Sequence, residues 1–149
     1  MKKIFFSIVI FLVATASEAQ FKSAKITAAG LTCAMCTKAI YNSLGKVPAV
    51  SKVDADIKNS SFLVTFKKGS TIDPRLLSAA VEEAGFSVAR LSLTGDFDNV
   101  PVNEQAQVMI DGKTYQIASA RISKLDGERT FYITDKKLGA NNGPYHVTL

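Results

Sequence analysis

Cys33 and Cys36 are the only two cysteines in this chain of 149 residues, and two residues separate them. A protein that depends on a disulfide framework usually has more cysteines, spread along its length. Three uses remain open for such a pair: soft-metal binding, thiol–disulfide exchange and a local structural disulfide. We favour metal binding, because a thioredoxin-like site sits in a different βαβ context and usually has a tryptophan, which this chain lacks.

The two cysteines fall where a loop, residues 30–35, leads into a predicted helix that begins near Cys36. Cys36, Ile40 and Leu44 follow one another at four-residue spacing, and Val47 comes three residues later. This spacing places their side chains on one apolar stripe of a helix. The sequence therefore puts the pair at a helix N-terminus.

A helix N-terminus has a definite effect on cysteine chemistry. It carries roughly half a positive charge, which lowers the pKa of a thiol there below the free value of about 8.5. Lys38, one turn inside the helix, would add to this effect. Two thiolates on a short loop favour soft ions of low coordination number, namely Cu(I) or, on the same argument, Hg(II). Met35 could add a thioether, although an exposed spacer is the expected role.

The other candidate residues indicate no further site. His146 is the only histidine, and no second histidine or cysteine lies near it in the sequence, so a structural or surface role is expected. Asp54 and Asp56 alternate on one predicted strand, which is typical of its solvated side. There is no serine–histidine–carboxylate pattern and no phosphate-binding glycine loop. We therefore expect a binding protein, not an enzyme, with no catalytic or cofactor-binding residues.

Residues 20–93 predict the order strand, helix, strand, strand, helix, strand. The strands are indicated by alternating apolar residues and the second helix by its caps, with Asp73 before Pro74 at its start and Gly85 after its end. A βαββαβ order in about seventy residues is typical of a ferredoxin-like α+β sandwich. In that fold, two helices cover one face of a four-stranded antiparallel sheet.

Residues 94–149 predict a separate, small all-β unit of four or five strands, whose role the sequence does not indicate. Residues 94–99 have the composition of a linker, and the Asp-Gly pairs at 111–112 and 126–127 predict two hairpin turns. A unit of this size is near the lower limit for independent stability, so it could depend on contacts with the first domain.

Residues 1–19 predict a secretory signal peptide. Lys2 and Lys3 precede an apolar stretch, residues 4–16, and small residues then provide a cleavage site before Gln20. As a helix, the apolar stretch would span only about 20 Å of a bilayer core roughly 30 Å thick. We expect a periplasmic or secreted protein with no stable membrane insertion after cleavage.

The formal net charge is +5, and the basic residues are scattered along the chain. Nucleic-acid binding is not expected, because there is no dense basic run and because export removes the protein from that compartment. A solvated basic surface is the simpler interpretation, and an acidic docking partner is the more specific one.

Residues 30–36, Gly-Leu-Thr-Cys-Ala-Met-Cys, resemble the Gly-Met-Thr-Cys-x-x-Cys loop of the heavy-metal-associated domain family. That family includes copper chaperones, N-terminal domains of copper-exporting ATPases and the mercuric-transport periplasmic protein. Residues 50–53 and 82–86 match the family as well, and the resemblance covers about residues 22–92. It implies the βαββαβ fold and metal binding by Cys33 and Cys36.

The resemblance also suggests roles for three neighbours of the loop. Leu31 replaces the usual methionine, which in the family points into the core. Phe86 falls where the family places an aromatic residue or a lysine beside the metal. Thr32 stands where zinc-selective and cadmium-selective relatives tend to have aspartate, so Cu(I) or Hg(II) is favoured and Zn(II) remains a weaker alternative.

Together these observations predict an exported protein that binds one ion, with a Cu(I) chaperone or carrier as the leading interpretation. Its partner would be a metal-transporting membrane protein or another thiol-bearing acceptor. The alternatives are a periplasmic mercuric-ion scavenger or transport protein and a thiol–disulfide oxidoreductase.

Overall fold

The computed structural model of the chain describes residues 19–118, 121–134 and 143–149. The predicted signal peptide lies outside these ranges except for Ala19, and so does most of a loop predicted at residues 138–144. Within the described ranges, no helix combines the length and the apolar character that a membrane span requires.

The described residues form eight strands and two helices. In chain order they are β1 (Gln20–Ala29), α1 (Ala34–Gly45), β2 (Val50–Asp56), β3 (Ser61–Phe66), α2 (Pro74–Glu83), β4 (Ser87–Pro101), β5 (Gln107–Ile110), β6 (Lys113–Ile117), β7 (Lys124–Ile133) and β8 (Tyr145–Thr148). The predicted order of strands and helices in residues 20–93 is confirmed.

All eight strands belong to one sheet, in the order β2-β3-β1-β4-β7-β8-β6-β5. Neighbours are antiparallel except β6 and β8, which are parallel. The first four strands have the order expected of a ferredoxin-like sheet, but the sheet does not end at β4, because β7 pairs along its outer side. The prediction of a four-stranded antiparallel sheet followed by a separate β unit therefore changes to a mixed fold with one large sheet.

The prediction of a linker at residues 94–99 is wrong, because these residues lie inside β4. Leu93 and Phe97 on this strand point into the core, so burial outweighs the polar, turn-like composition. The close packing of β1 against β4 also requires a glycine at position 95. A Cβ atom at this position would lie 2.5 Å from the Gln20 carbonyl oxygen, so only glycine allows β1 and β4 to approach so closely.

The two Asp-Gly pairs have different outcomes. Asp111 and Gly112 form the predicted turn between β5 and β6, with φ angles of 52° and 73°. The second predicted turn is wrong, because Gly127 lies within β7, where its φ is 73° and the register with β4 shifts between Phe97 and Val100. A β-bulge needs the same left-handed backbone as a hairpin turn, so the sequence alone did not distinguish them.

An aromatic cluster joins the first strands to the last ones. Phe21 on β1 contacts Tyr115 on β6 with ring centroids 5.4 Å apart, although three strands separate β1 from β6 in the sheet. Phe131 and Phe97 also contact Phe21, at 5.5 and 5.9 Å. The sheet must therefore curve so that its apolar face closes on itself.

Candidate functional site

Cys33 is the N-cap residue of α1, and Cys36 lies in the first turn. Cys33 has an extended backbone, and its Sγ accepts a hydrogen bond from the Cys36 N–H at 3.1 Å. Its carbonyl oxygen accepts the N–H groups of Cys36 and Thr37 at 3.1 and 3.3 Å. The helix thus begins at Ala34, earlier than the predicted start near Cys36, because a cysteine can serve as the capping acceptor.

The two cysteines form a disulfide, with their Cα atoms 5.3 Å apart. Cys33 is exposed and Cys36 is partly exposed. The first turn of α1 contains no acidic residue, so no carboxylate there offsets the positive end of the helix. In this oxidised form, neither sulfur is a free thiolate, and the pair must be reduced before it could bind a metal.

Some residues around the cysteine loop pack against the core, and others are exposed. Leu31 and Phe86 are partly buried and pack against the hydrophobic core, so they hold the base of the loop. Met35 is 76% exposed, as expected of a spacer between the cysteines. Thr32 and Lys38 are exposed. The cysteine loop therefore holds its two sulfurs at the protein surface, while its neighbours Leu31 and Phe86 are packed against the core.

Beyond the two sulfurs, the described part of the chain brings no further ligand to the loop: no group of three or more His, Cys, Asp or Glu side chains there is arranged to hold a metal ion. His146 is exposed on β8 and paired in register with Gln116 on β6. The structure thus does not group it with the cysteines. Asp54 and Asp56 are also exposed, on β2, as predicted for the solvated side of a strand.

A cluster that the sequence did not predict joins α2 to the C-terminal strands. Asp73, the predicted N-cap of α2, accepts hydrogen bonds from the Arg75 N–H at 3.0 Å and from the Tyr145 hydroxyl at 2.7 Å. It also forms an ion pair with Lys113 at 3.1 Å. We call Asp73, Arg75, Lys113 and Tyr145 the junction. The Asp-Pro pair in the sequence predicts that Asp73 caps α2, but it does not predict that Lys113 on β6 and Tyr145 on β8 bind the same carboxylate.

The junction shifts the pKa of its acid and of its phenol. Partial burial acts to raise the pKa of Asp73, but hydrogen bonds from Tyr145, Arg75 and Lys113 outweigh it and lower the pKa from 3.8 to about 2. Burial, followed by the hydrogen bond to Asp73, raises the pKa of Tyr145 above its usual range. Both groups therefore keep their ordinary charge at neutral pH, and the junction stays intact there.

Comparison with known proteins adds an independent observation. The sequence model of the heavy-metal-associated domain matches residues 25–87. The mercuric transport protein periplasmic component of Salmonella typhi is 31% identical over 86 residues, which are 58% of this chain and 93% of that protein. The protein of the same name from Pseudomonas fluorescens is 29% identical over the same shares. Oxidized MerP from Ralstonia metallidurans CH34 aligns at 27% identity and a TM-score of 0.42, over 47% of this chain and 96% of that one.

Proposed function

Because the chain belongs to the heavy-metal-associated domain family, we propose that it binds one soft heavy-metal ion through Cys33 and Cys36 and delivers it to an acceptor outside the cytoplasm. The observation that carries this proposal is the position of both sulfurs at the exposed N-terminus of α1. In the same proposal, residues 1–19 are removed on export, residues 20–93 form the metal-binding unit, and residues 94–149 extend its sheet.

The chemistry begins with the reduced pair. The helix N-terminus favours the thiolate form, and the Cys36 N–H already points at the Cys33 sulfur at 3.1 Å. Two thiolates suit an ion that accepts low coordination, such as Cu(I) or Hg(II). Structural Zn(II) prefers four protein ligands, and the described residues offer no such group near the loop. Zn(II) should therefore bind more weakly than either soft ion.

Hg(II) and Cu(I) are not supported by the same observations. Hg(II) is supported by the curated relatives, which are named as periplasmic components of mercuric transport. The softness and low number of the ligands support Cu(I) as well as Hg(II). The same relatives support a periplasmic location for this chain.

Exposure of the sulfurs suggests how the ion would leave. An acceptor thiolate can approach the exposed Cys33 and form a three-coordinate intermediate before one of the original Metal–S bonds breaks. The acceptor would be a metal-transporting membrane protein or another protein with a pair of thiols. The chain itself would act as a carrier and not as an enzyme.

A competitive titration tests the binding site. The reduced, purified protein is titrated without oxygen with Cu(I), Hg(II) and Zn(II) in the presence of chelators of known affinity. We expect one Cu(I) or Hg(II) per chain, with Zn(II) far weaker. Cys33→Ser/Cys36→Ser should lose this binding, and Met35→Leu, a matched change between the cysteines, should keep it. Unchanged binding in the double variant would contradict the proposal.

A kinetic experiment tests the transfer. The metal-loaded protein is mixed with increasing concentrations of a protein that has an exposed pair of thiols, and metal release is followed with time. We expect the release rate to rise with acceptor concentration and to exceed spontaneous dissociation. Equal rates with and without the acceptor would leave a scavenger with no dedicated partner.

The disulfide between Cys33 and Cys36 supports a second candidate, a thiol–disulfide oxidoreductase. This function would require rapid exchange with a substrate disulfide through a mixed-disulfide intermediate. A disulfide-exchange assay separates the two candidates. Fast turnover together with weak metal binding would favour the oxidoreductase, and slow exchange with tight metal binding would favour the carrier.

A further inference from the structure

The face of the sheet that α1 and α2 do not cover is polar and contains a groove. Along β1, Ala24, Ile26 and Ala28 are buried, while the intervening Lys25 and Thr27 point to the other side. The groove has a volume of about 640 Å³ and extends from β3 across β1 and β4 to β7. We call this surface the polar face.

Two positively charged side chains, those of Lys25 and Arg90, are neighbours on the polar face. In the pairing of β1 with β4, Lys25 is opposite Ser92 and Thr27 is opposite Arg90. Lys25 and Arg90 are therefore diagonal neighbours on adjacent strands, where such residues are about 7–8 Å apart. Like charges at this spacing repel each other, and an anion bound between them would relieve the repulsion.

Neither Lys25 nor Arg90 forms an ion pair with any residue that the structure describes. Lys52, on the neighbouring edge strand β2, is by contrast paired with Asp54 at 2.8 Å. No ion pair in the described part of the chain therefore neutralises the positive charge of the groove.

Asp56 at the end of β2 is the carboxylate whose charge interacts with Lys25, but it is already engaged. Its two oxygens accept the side-chain and backbone N–H groups of Asn59 at 2.7 and 3.2 Å. These hydrogen bonds are the main reason why its pKa is lowered, and the charge of Lys25 contributes least. Asp56 thus leaves Lys25 available to an external anion.

Exposed apolar side chains lie at both ends of the groove. Leu63 on β3 and Tyr132 on β7 are each 46% exposed, and the register aligns them with Lys25 and Ser92 in one row across the sheet. Three steps between strands give this row a length of about 14 Å. An extended peptide of four or five residues covers that distance at about 3.3 Å per residue.

We propose that the polar face binds an extended acidic segment of a partner protein. Carboxylates at alternate positions of an extended segment are about 7 Å apart, which matches the spacing of Lys25 and Arg90. Apolar side chains of the same segment would contact Leu63 and Tyr132, and the hydroxyl of the partly exposed Thr27 offers it a hydrogen bond. A single small anion would use only the two cations and leave the rest of the groove empty. This docking needs neither the cysteines nor a metal ion.

The test is a titration of the purified, isotopically labelled protein with a synthetic peptide in which glutamate alternates with leucine and tyrosine. We expect amide shifts on β1 and β4 around Lys25 and Arg90, and no shifts when glutamine replaces glutamate in the peptide. Lys25→Gln and Arg90→Gln should each weaken binding by about tenfold at low salt, and the double variant should lose it. Lys52→Gln, a matched control on an exposed lysine that already has a partner, should bind like the wild type.

Several outcomes would overturn the proposal. These are no binding of the acidic peptide, equal binding of the glutamine peptide, and undiminished binding by the double variant. Equal weakening by Lys52→Gln would show a general charge effect instead of a docking groove. Inorganic phosphate that displaces the peptide at similar concentrations would show a simple anion site. Thermal unfolding of each variant checks that the exposed substitutions leave the fold intact.

Discussion

The cysteine loop and the aromatic cluster differ in almost every physical respect. At the loop, Cys33 is exposed and is held by backbone hydrogen bonds to residues within one helical turn. In the cluster, Phe21 and Phe131 are 2% and 0% exposed, and their contact connects β1 with β7, more than a hundred residues later in the chain. One region is built from local bonds at the surface, and the other from distant contacts in the interior.

Because of this difference, we expect the stability of the fold and the binding of metal to depend on different residues. Substitutions in the cluster should alter the free energy of unfolding and leave the metal affinity of the folded protein unchanged. Substitutions in the loop should do the reverse. The following predictions test this separation.

Phe131→Ala should have the largest effect on stability. The ring is fully buried and contacts Phe21, Phe97 and Tyr115, so its loss should lower the free energy of unfolding by about 3–5 kcal/mol. Urea unfolding measures the change, and metal titration below the transition should give the wild-type affinity. Tyr132→Ala, at an exposed neighbouring position, should cost about 0.5 kcal/mol or less. Equal losses for the two variants would contradict the assigned core.

Gly95→Ala should have the next largest effect. The added Cβ would lie 2.5 Å from the carbonyl oxygen of Gln20, so β1 and β4 would have to move apart, at a cost of about 1–3 kcal/mol. Gly45→Ala is the matched control, because nothing lies within 4 Å of its added Cβ. Thermal unfolding of both variants tests the close approach, and a stable Gly95→Ala protein would show that the strands are not held so tightly.

Asp73→Asn should have a smaller, pH-dependent effect. The folded-state pKa of Asp73, about 2, lies below the ordinary value of 3.8, so its ionised form stabilises the protein above pH 3.8, and this contribution is lost as the pH falls toward 2. After allowance for solvent screening, we expect a loss of about 1 kcal/mol at neutral pH. Urea unfolding of both proteins over this pH range should show the difference shrinking on acidification. A difference independent of pH would contradict the assigned role of the carboxylate.

Lys38→Gln should have the smallest effect on stability, about 0.5 kcal/mol or less, because the side chain is exposed. In the reduced protein, loss of this charge should raise the pKa of the cysteine thiols slightly. The ultraviolet absorbance of the thiolates during a pH titration measures this change. Lys68→Gln, at an exposed lysine far along the chain, provides the control and should leave the titration unaltered.

Local sequence signals predicted the first half of the fold well. Asp73 caps α2 with Pro74 as its first residue, and Gly85 follows the helix with a φ of 89°, as its position after a helix end predicts. The middle of the apolar stripe predicted for α1 is also confirmed, since Ile40 and Leu44 are fully buried, whereas Val47 lies beyond the end of the helix at Gly45. These signals are reliable because each depends on residues only a few positions apart.

Features that depend on distant residues could not be predicted in this way. The polar composition of residues 94–99 indicated a linker, but pairing with β1 and β7 makes them a strand. Gly127 needed a positive φ in either a turn or a bulge, and only the partner strand decides between them. The two functional surfaces show the same contrast between local and distant signals. The cysteine spacing was visible in the sequence, whereas the diagonal placement of Lys25 and Arg90 on the polar face appears only with the register of the strands.

The pairing of β7 with β4 has a consequence for incomplete chains. A chain that ended before Lys124 would leave the outer side of β4 without a partner, and β4 has fifteen residues. A bare strand edge of that length is a template for association with other chains. Truncated or prematurely cleaved forms of this protein should therefore aggregate, because they lack the β7 strand that covers this edge.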